Sequence, residues 1–547
     1  MTKSSKLRII PLGGLGEVGK NMMAYEYGND ILIVDTGLMF PENDMLGIDY
    51  IIPDFEYLRD KKDHVRGIVI THGHEDHTGA IHHVLEMVNV PIYATPLTRG
   101  ILEAKLARNG MAQKADLRTV QAGSSVQINS FKVEFFHVCH SIPDGVGLGI
   151  ETPAGLIVHT GDYKFDHTPV DNWPSDYAKL AEFSRRGVLA LLSDSTNAER
   201  PGWTPSERVI DGGFETVFSK APGRIIIATF ASLISRLQQA ANAAVRHGRK
   251  MAVVGPSMVD NVKIATKLGY LDIPDNVLIP IDQALALKDH EVVLMCTGSQ
   301  GEPSSILGRL SVGTNRQFDV KSGDTIVLSS HPIPGNEEIV YRTINRLFNR
   351  GANVIYEAIA PVHVSGHASQ EEMKLLFHLT RPKFFIPIHG ETRMLRQNAY
   401  LAEQVGIPKE NIAVVENGQV IEFENGEMKL AERIPGGYVF VEGSDVSDMD
   451  PSVMREREVM SRDGVVMVKL TIDKRSNQLL QDPEIVTKGF KLGAASEALT
   501  IAARKRVTDT LAKANGSLQA DLEQVVKNLV YSEIHRRPMI LVAINKL

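Results

Sequence analysis

Short apolar runs alternating with helical patterns organise most of the chain. Positions 31–35 (ILIVD), 66–71 (RGIVIT), 131–138 (FKVEFFHV) and 155–160 (GLIVHT) are β-branched-rich and end in polar or glycine-rich residues. Such runs predict strands buried on both faces, with functional groups at their ends. Between them, 78–88 and 97–110 have apolar residues at helical spacing, the second stopped by Gly110. The rhythm returns with strand patterns at 224–229, 250–255, 292–298 and 324–330 and helical ones at 235–248 and 335–351. A second doubly wound unit follows from that alternation. A strand pair is expected around 384–389 and 412–422. The acidic segment 442–452, closed by Pro451, reads as a linker. Beyond it lie a strand pattern at 465–473, helical ones at 493–513 and 518–533, and a last strand at 539–544. The glycines of GLGEVG (14–19) match GxGxxG, but a strand pattern follows where a dinucleotide site needs a helix. A tight turn using glycine's φ freedom is the expected reading.

Composition narrows the class. A chain of 547 residues, 43% hydrophobic and 23% charged, excludes wholesale disorder. Its length suits two to four domains at roughly 150 residues each. Two cysteines, Cys139 and Cys296, cannot build a disulfide framework, which points to the reducing cytoplasm. No charge-free apolar run reaches about 18 residues, so no membrane segment is expected. The net charge of −7 argues against a nucleic-acid partner, since such proteins usually carry a basic footprint.

The densest chemistry lies directly after the run RGIVIT. His72, His74, Asp76 and His77 set three imidazoles and a carboxylate within six residues, a donor set suited to zinc or manganese. His140, Asp162 and His389 recur at later strand ends. Seven ligands suffice for two ions if Asp162 bridges. His72, His74, His140 and Asp162 would hold one, and Asp76, His77, Asp162 and His389 the other. Smaller signals stay open between function and packing: His82 and His83 on the following helix, His159 near the site, Cys139 beside His140, and Tyr163 and Trp203 as stacking platforms for bases.

HxHxDH followed by a histidine, a GD aspartate and a final histidine resembles the metallo-β-lactamase superfamily. Asp35 matches the aspartate that orients a metal-binding histidine there. Asp194 in LLSDSTNAE, His367 in HVSGHAS and His389 in IPIHGE resemble motifs A, B and C of the β-CASP nucleases. In that group a second α/β domain is inserted within the metallo-β-lactamase fold. GGLGEVGKNM (13–22), CTGSQGEP (296–303), HPIPGNEE (331–338) and RRPMILVAI (536–544) are similar to the ribonuclease J family over nearly the whole chain. The resemblance implies an αββα metallo-β-lactamase sandwich at 1–208 and 379–441. An inserted doubly wound β-CASP domain would occupy 209–378, with 442–452 as linker and a small α/β domain at 453–547. Leu233, Ser235 and Pro256 depart from the family pattern inside the insertion.

The same resemblance implies a ribonuclease of RNA maturation and decay. It would act as a 5′→3′ exonuclease favouring 5′-monophosphate ends, with endonucleolytic cutting besides. Two divalent ions, zinc first, manganese or magnesium in its place, would serve hydroxide attack at phosphorus, giving 5′-phosphate and 3′-OH products. His367 is the candidate group at the leaving oxygen, with Asp194 as its charge partner. A phosphate pocket is expected from His363, Val364, Ser365, Gly366, His367 and Ser369, with Ser232 and Leu233 from the ATFASL turn. Expected partners are single-stranded RNA, including ribosomal precursors and messengers, a homodimer or homotetramer, and a larger decay complex. Two other classes stay in view: a hydrolase of small esters or thioesters, which needs no insertion of this size, and a silent RNA-binding scaffold. Two divalent cations would offset four of the seven negative charges where phosphate must sit, so global charge does not choose the substrate.

Overall fold

Alternation along each strand decides which layer its side chains enter. In the strand Asp30–Val34, Leu32 and Val34 point into a core shared by two sheets, while Ile31 and Ile33 face helices outside. Strand Phe131–His137 does the same from the opposite side, with Val133 and Phe135 inward and Phe136 outward. The computed structural model describes residues 6–42, 44–447, 450–476, 478–489, 496–512 and 518–547. Among them the chain divides into two units, Met1–Glu42 with Asp49–Val441, and Asn43–Ile48 with Glu442–Leu547.

The larger unit holds an αββα sandwich. One sheet, eight-stranded among the described residues, runs in the order Glu427–Arg433, Gln419–Glu424, Leu7–Gly13, Met22–Tyr27, Asp30–Val34, Val65–Val69, Ile92–Ala94 and Leu117–Thr119. The second, six-stranded, runs Phe384–Ile388, Val188–Asp194, Gly155–His159, Val146–Thr152, Phe131–His137 and Ser125–Ile128. Helices Ile81–Met87 and Pro96–Arg108 cover the outer face of the first; Tyr177–Arg186, Gln370–Thr380 and Thr392–Gln404 cover the second. In the second sheet Phe131–His137, Gly155–His159, Val188–Asp194 and Phe384–Ile388 all run the same way, so their carboxyl ends share one edge.

Between Val188–Asp194 and Phe384–Ile388 the chain builds a parallel sheet in the order Lys250–Val254, Val292–Cys296, Ile225–Ala228, Thr325–Leu328 and Asn353–Ile355. Ile225–Ala228 is central, and the two faces of the sheet have separate cores, Ile225 and Ile227 in one, Ile226 and Ala228 in the other. This is the inserted doubly wound architecture expected. The GLGEVG glycines make the tight turn between strands, with φ of 89° at Gly14 and 82° at Gly16.

Two expectations are corrected. The stretches near 384–389 and 412–422 do not form a ladder; among the described residues they share one parallel bridge, Phe385 with Ile412. Phe384–Ile388 lies parallel to Val188–Asp194, and Gln419–Glu424 lies antiparallel to Leu7–Gly13. Helix Thr392–Gln404 intervenes and carries the chain from one sheet to the other. In the smaller unit, the segment 442–452 is not wholly irregular: Asp445–Ser447 is extended and Pro451 opens the helix Pro451–Asp463. Proline's fixed φ suits the first helical position, and Asp450 accepts the Ser452 N–H, so a residue read as a stop is a start. This unit also contains the strands Glu484–Lys488, Val465–Ile472 and Met539–Lys546 in that order, packed on helices Ser496–Leu511 and Leu518–Ile534. Of the pattern read at 493–513, positions 493–495 and 513 lie outside the described residues.

Candidate metal centre

Strand ends deliver the donors. His72, His74, Asp76 and His77 follow Val65–Val69, His140 follows Phe131–His137, Asp162 follows Gly155–His159, and His389 directly follows Phe384–Ile388. Two four-residue groups gather there, His72–His74–His140–Asp162 and Asp76–His77–Asp162–His389, each with ligand atoms within 4.8 Å. Asp162 belongs to both. Its Oδ2 lies 3.7 Å from His72 Nε2, 3.6 Å from His140 Nε2 and 3.3 Å from His77 Nε2. A third group, Asp162, Asp194, His367 and His389, adjoins them.

The donor atoms suit cations. His74 Nδ1 lies 3.1 Å from both His72 Nε2 and His140 Nε2. His140 Nδ1–H donates to the Gly366 carbonyl at 2.7 Å, which leaves Nε2 with a lone pair facing the cluster. His77 Nδ1 lies 2.8 Å from Asp35 Oδ2, and Asp35 also accepts the Thr71 N–H at 2.8 Å and the Thr71 hydroxyl at 2.9 Å. Asp35 thus lies fixed between the His77 ring and Thr71. The buried His389 Nε2 has no hydrogen-bond partner among the described residues. Asp35 and His389 both have left-handed backbone, φ 62° and 51°, which turns a strand end into the site.

Electrostatics divide the imidazoles. Burial drives His72 and His140 well below their ordinary pKa and His74 to about 4, so these three are neutral donors. Burial also opposes the charge on His77 and His389, but Asp162, with Asp76 and Asp35 beside His77 and with Asp194 beside His389, outweighs it. His77 rises well above its usual value and His389 to about 9. The carboxylate field that holds those protons is the field that would attract a cation, so cation and proton compete there.

Next to the cluster, His367 Nδ1 lies 2.7 Å from Oδ2 of the fully buried Asp194. Asp194 Oδ1 accepts the Thr196 N–H at 2.9 Å and its hydroxyl at 2.7 Å, so both oxygens are committed. The His367 ring centroid is 4.9 Å from His140 and 5.6 Å from His389. Burial lowers His367, but Asp194 more than compensates, and its pKa is raised.

The expected phosphate loop has mixed roles. His363 is stacked on His331 with centroids 6.5 Å apart, and burial, reinforced by Arg236, pushes it to about 3. Ser365 Oγ accepts from Asn197 Nδ2 at 2.8 Å and from the His367 N–H at 3.2 Å. Ser232 is half-buried, its carbonyl accepting the Ile234 N–H. Three of the expected pocket positions turn their side chains inward. Val364 packs in the core of the inserted sheet, Leu233 is 2% exposed at the start of helix Ile234–Arg246, and Ser369 caps helix Gln370–Thr380 with its hydroxyl 2.8 Å from Thr204 Oγ1. Apolar bulk and a capping hydroxyl are what a fold consumes first.

The smaller signals also resolve. Tyr163 is 1% exposed and packs, and Cys139 is buried. His82 and His83 lie against each other as tilted rings with centroids 3.9 Å apart, and His83 Nε2 meets the Tyr50 hydroxyl at 3.0 Å. His159 Nδ1 meets the Tyr25 hydroxyl at 2.8 Å across the two sheets. Trp203 is 47% exposed. Sequence reading missed Asn21, whose Nδ2 lies 3.2 Å from His77 Nε2. It also missed Thr204, whose hydroxyl donates to the His367 carbonyl at 2.7 Å, and Asn197, which reaches the same carbonyl at 2.9 Å. The polar run between Asp194 and the insertion is the signal that could have found the last two.

Family models match four stretches of the chain. A beta-lactamase superfamily domain matches 48–173, the ribonuclease J beta-CASP domain 222–347, a Zn-dependent metallo-hydrolase RNA specificity domain 351–414, and the ribonuclease J C-terminal domain 452–547. Ribonuclease J2 of Bacillus subtilis (strain 168) is 41% identical, the match covering 98% of each chain. Ribonuclease J of Synechocystis sp. is 42% identical over 99% of this chain and 87% of its own, and that of Thermus thermophilus 40% over 98% and 94%. A crystal structure of a protein of unknown function from Enterococcus faecalis V583 matches in fold, at TM-score 0.54 and 16% identity over 76% of this chain and 100% of its own. No helix among the described residues is long and apolar enough to cross a membrane. With likeness running from one end of the relatives to the other, and with the histidine–aspartate clusters gathered at the sandwich edge, the chain belongs to the ribonuclease J family and is a metal-dependent ribonuclease.

Proposed function

We propose that the protein degrades and matures single-stranded RNA by 5′→3′ exonucleolysis from 5′-monophosphate ends, and also cuts endonucleolytically. The observation that carries this reading is Asp162 shared between two donor groups, with the Asp194–His367 pair directly beside them. His72, His74, His140 and Asp162 would hold one divalent cation, and Asp76, His77, Asp162 and His389 the other. Zinc suits so imidazole-rich a set, with manganese or magnesium as substitutes. Such a pair of cations acidifies a water and neutralises charge gathering on a phosphodiester.

The chain's own groups do the rest. Asp35 keeps the Nδ1 proton of His77 turned away from the centre, and the Gly366 carbonyl does the same for His140. His367, its proton favoured by Asp194, gives that proton to the departing 3′ oxygen, which leaves a 3′-OH on one fragment and a 5′-phosphate on the other. His363, Ser365 and the backbone at Gly366, with Ser232 opposite, receive the 5′-phosphate. The work belongs to the cytoplasm, on ribosomal precursors and messengers, in a homodimer or homotetramer able to join a larger decay complex. The sandwich at 1–208 and 379–441 supplies the centre, the β-CASP insertion at 209–378 the phosphate side, and 453–547 supports assembly.

End-labelled single-stranded RNA tests the reading. Mononucleotide release that stops with chelator and runs faster on 5′-monophosphate than on 5′-triphosphate ends is expected. Equal rates on the two ends would remove the phosphate pocket, and chelator-resistant cleavage would remove the metal mechanism.

A further inference from the structure

A neutral quartet of charged side chains lies buried outside the metal centre, and neither the fold nor the proposed chemistry explains it. Arg236 is 0% exposed, and Lys164, Asp166 and Glu207 are each under 5%. Burying four charges costs several kcal/mol per ion before pairing offsets it, so their geometry identifies what is gained. Every nitrogen of the Arg236 guanidinium is engaged. Nε donates to Gln239 Oε1 at 3.2 Å, and Nη2 to Glu207 Oε2 at 2.9 Å. Nη1 donates to the Val362 carbonyl at 2.9 Å and to the Ser329 hydroxyl.

These partners sit on three different parts of the larger unit. Ser329 ends the strand Thr325–Leu328, beside the central strand of the inserted sheet. Val362 opens the loop that carries His363 and His367. Glu207 belongs to the sandwich side: its N–H donates to Asp166 Oδ2 at 2.9 Å, and its Oε1 accepts from Lys164 Nζ at 3.4 Å. Lys164 in turn donates its N–H to the Cys139 carbonyl, one residue before the ligand His140. Lys164, Glu207 and Ser235 line one small cavity with His140.

We propose that Arg236 is a positioning residue of the cleavage reaction. Through Glu207 and Lys164 it ties the loop Val362–His367 to the segment that presents His140, and so fixes His367 over the scissile bond. A planar five-donor fork is what three acceptors on separate segments require, and a lysine cannot reproduce it. The proposal rests on the reading that His367 serves the leaving oxygen.

The test is Arg236→Lys and Arg236→Met in the metal-loaded full chain. Each is assayed on 5′-monophosphate RNA and on bis(p-nitrophenyl) phosphate, whose phenolate leaves without a proton donor. Melting temperature and bound metal are measured alongside. Both variants should keep their metal and cleave the activated diester within about twofold of the parent, while RNA turnover falls tens-fold or more. Adding His367→Ala to either should cost little further, because both changes disable one group. Equal loss on both substrates, full RNA activity in Arg236→Lys, or additive loss in the double variants would overturn the proposal. If Arg236→Met does not fold, Arg236→Lys decides alone. His367→Ala with undiminished RNA turnover would instead sink the leaving-group reading, a distinguishable result.

Discussion

His367 and Asp194 show how much one hydrogen bond can set. Burial opposes the charged form of His367, and the 2.7 Å contact with Asp194 outweighs it. A raised pKa keeps the acid form present above the usual histidine range, and it is lost as pH rises through the raised value. Turnover limited by that proton should therefore fall on the alkaline side. Asp194→Asn should move that fall to lower pH, visible in the pH profile of kcat. His367→Ala should cut RNA turnover by about 10²–10⁴ with zinc content unchanged. Asp35 acts on the His77 ring instead. Asp35→Asn should weaken zinc affinity by about 10–100-fold, read by competition with a chromogenic chelator. The seven donors that the structure gathers were legible in the sequence because strand ends concentrate them. Asn21 was not legible: it meets His77 only through chain pairing across 56 positions, and no local pattern encodes that.

At the scale of elements, the loop before helix Gln370–Thr380 joins the chemistry to the scaffold. Glu372, fully buried, accepts the Phe165 N–H at 2.8 Å, the Thr204 N–H at 2.7 Å and the Ser369 N–H at 2.9 Å, binding three segments at once. Glu372→Ala would strand those donors in the interior at about 1–3 kcal/mol each, so a clear drop in melting temperature is expected. Gly366 makes a closer demand. A Cβ there would lie 2.7 Å from both Cε1 and Nδ1 of His140, whose ring is held by the Gly366 carbonyl itself. Gly366→Ala should weaken zinc binding without altering any ligand, and calorimetric titration of the metal-free protein would measure it. Sequence pattern found the strands and most helices because each carries one dominant period. It misread Pro451 and joined 384–389 to 412–422, because a proline's role and a strand's neighbour depend on what surrounds them, not on composition. Ser369 shows the same dependence: a hydroxyl in a loop motif looks alike whether it faces a phosphate or caps a helix.

For the whole molecule, charge is the property that most needed the structure. A net charge of −7 repels RNA on average, yet Asp35, Asp76, Asp162 and Asp194 are all drawn into or beside one centre. Cations bound there place positive charge where the phosphates of a substrate must lie, on a chain that otherwise repels them. RNA affinity should accordingly depend on metal occupancy even where no cleavage takes place. The measurement is binding of a non-hydrolysable phosphorothioate single strand to metal-loaded and chelator-stripped protein across a range of salt. Each phosphate neutralised by fixed charge contributes a slope of about −0.7 in log Kobs against log salt for single strands. The loaded protein should bind more tightly and with a steeper slope, by roughly one such increment or more. Equal slopes in the two forms would mean that lysine and arginine elsewhere on the surface carry the electrostatic contact, and that the centre acts only after the strand is already held.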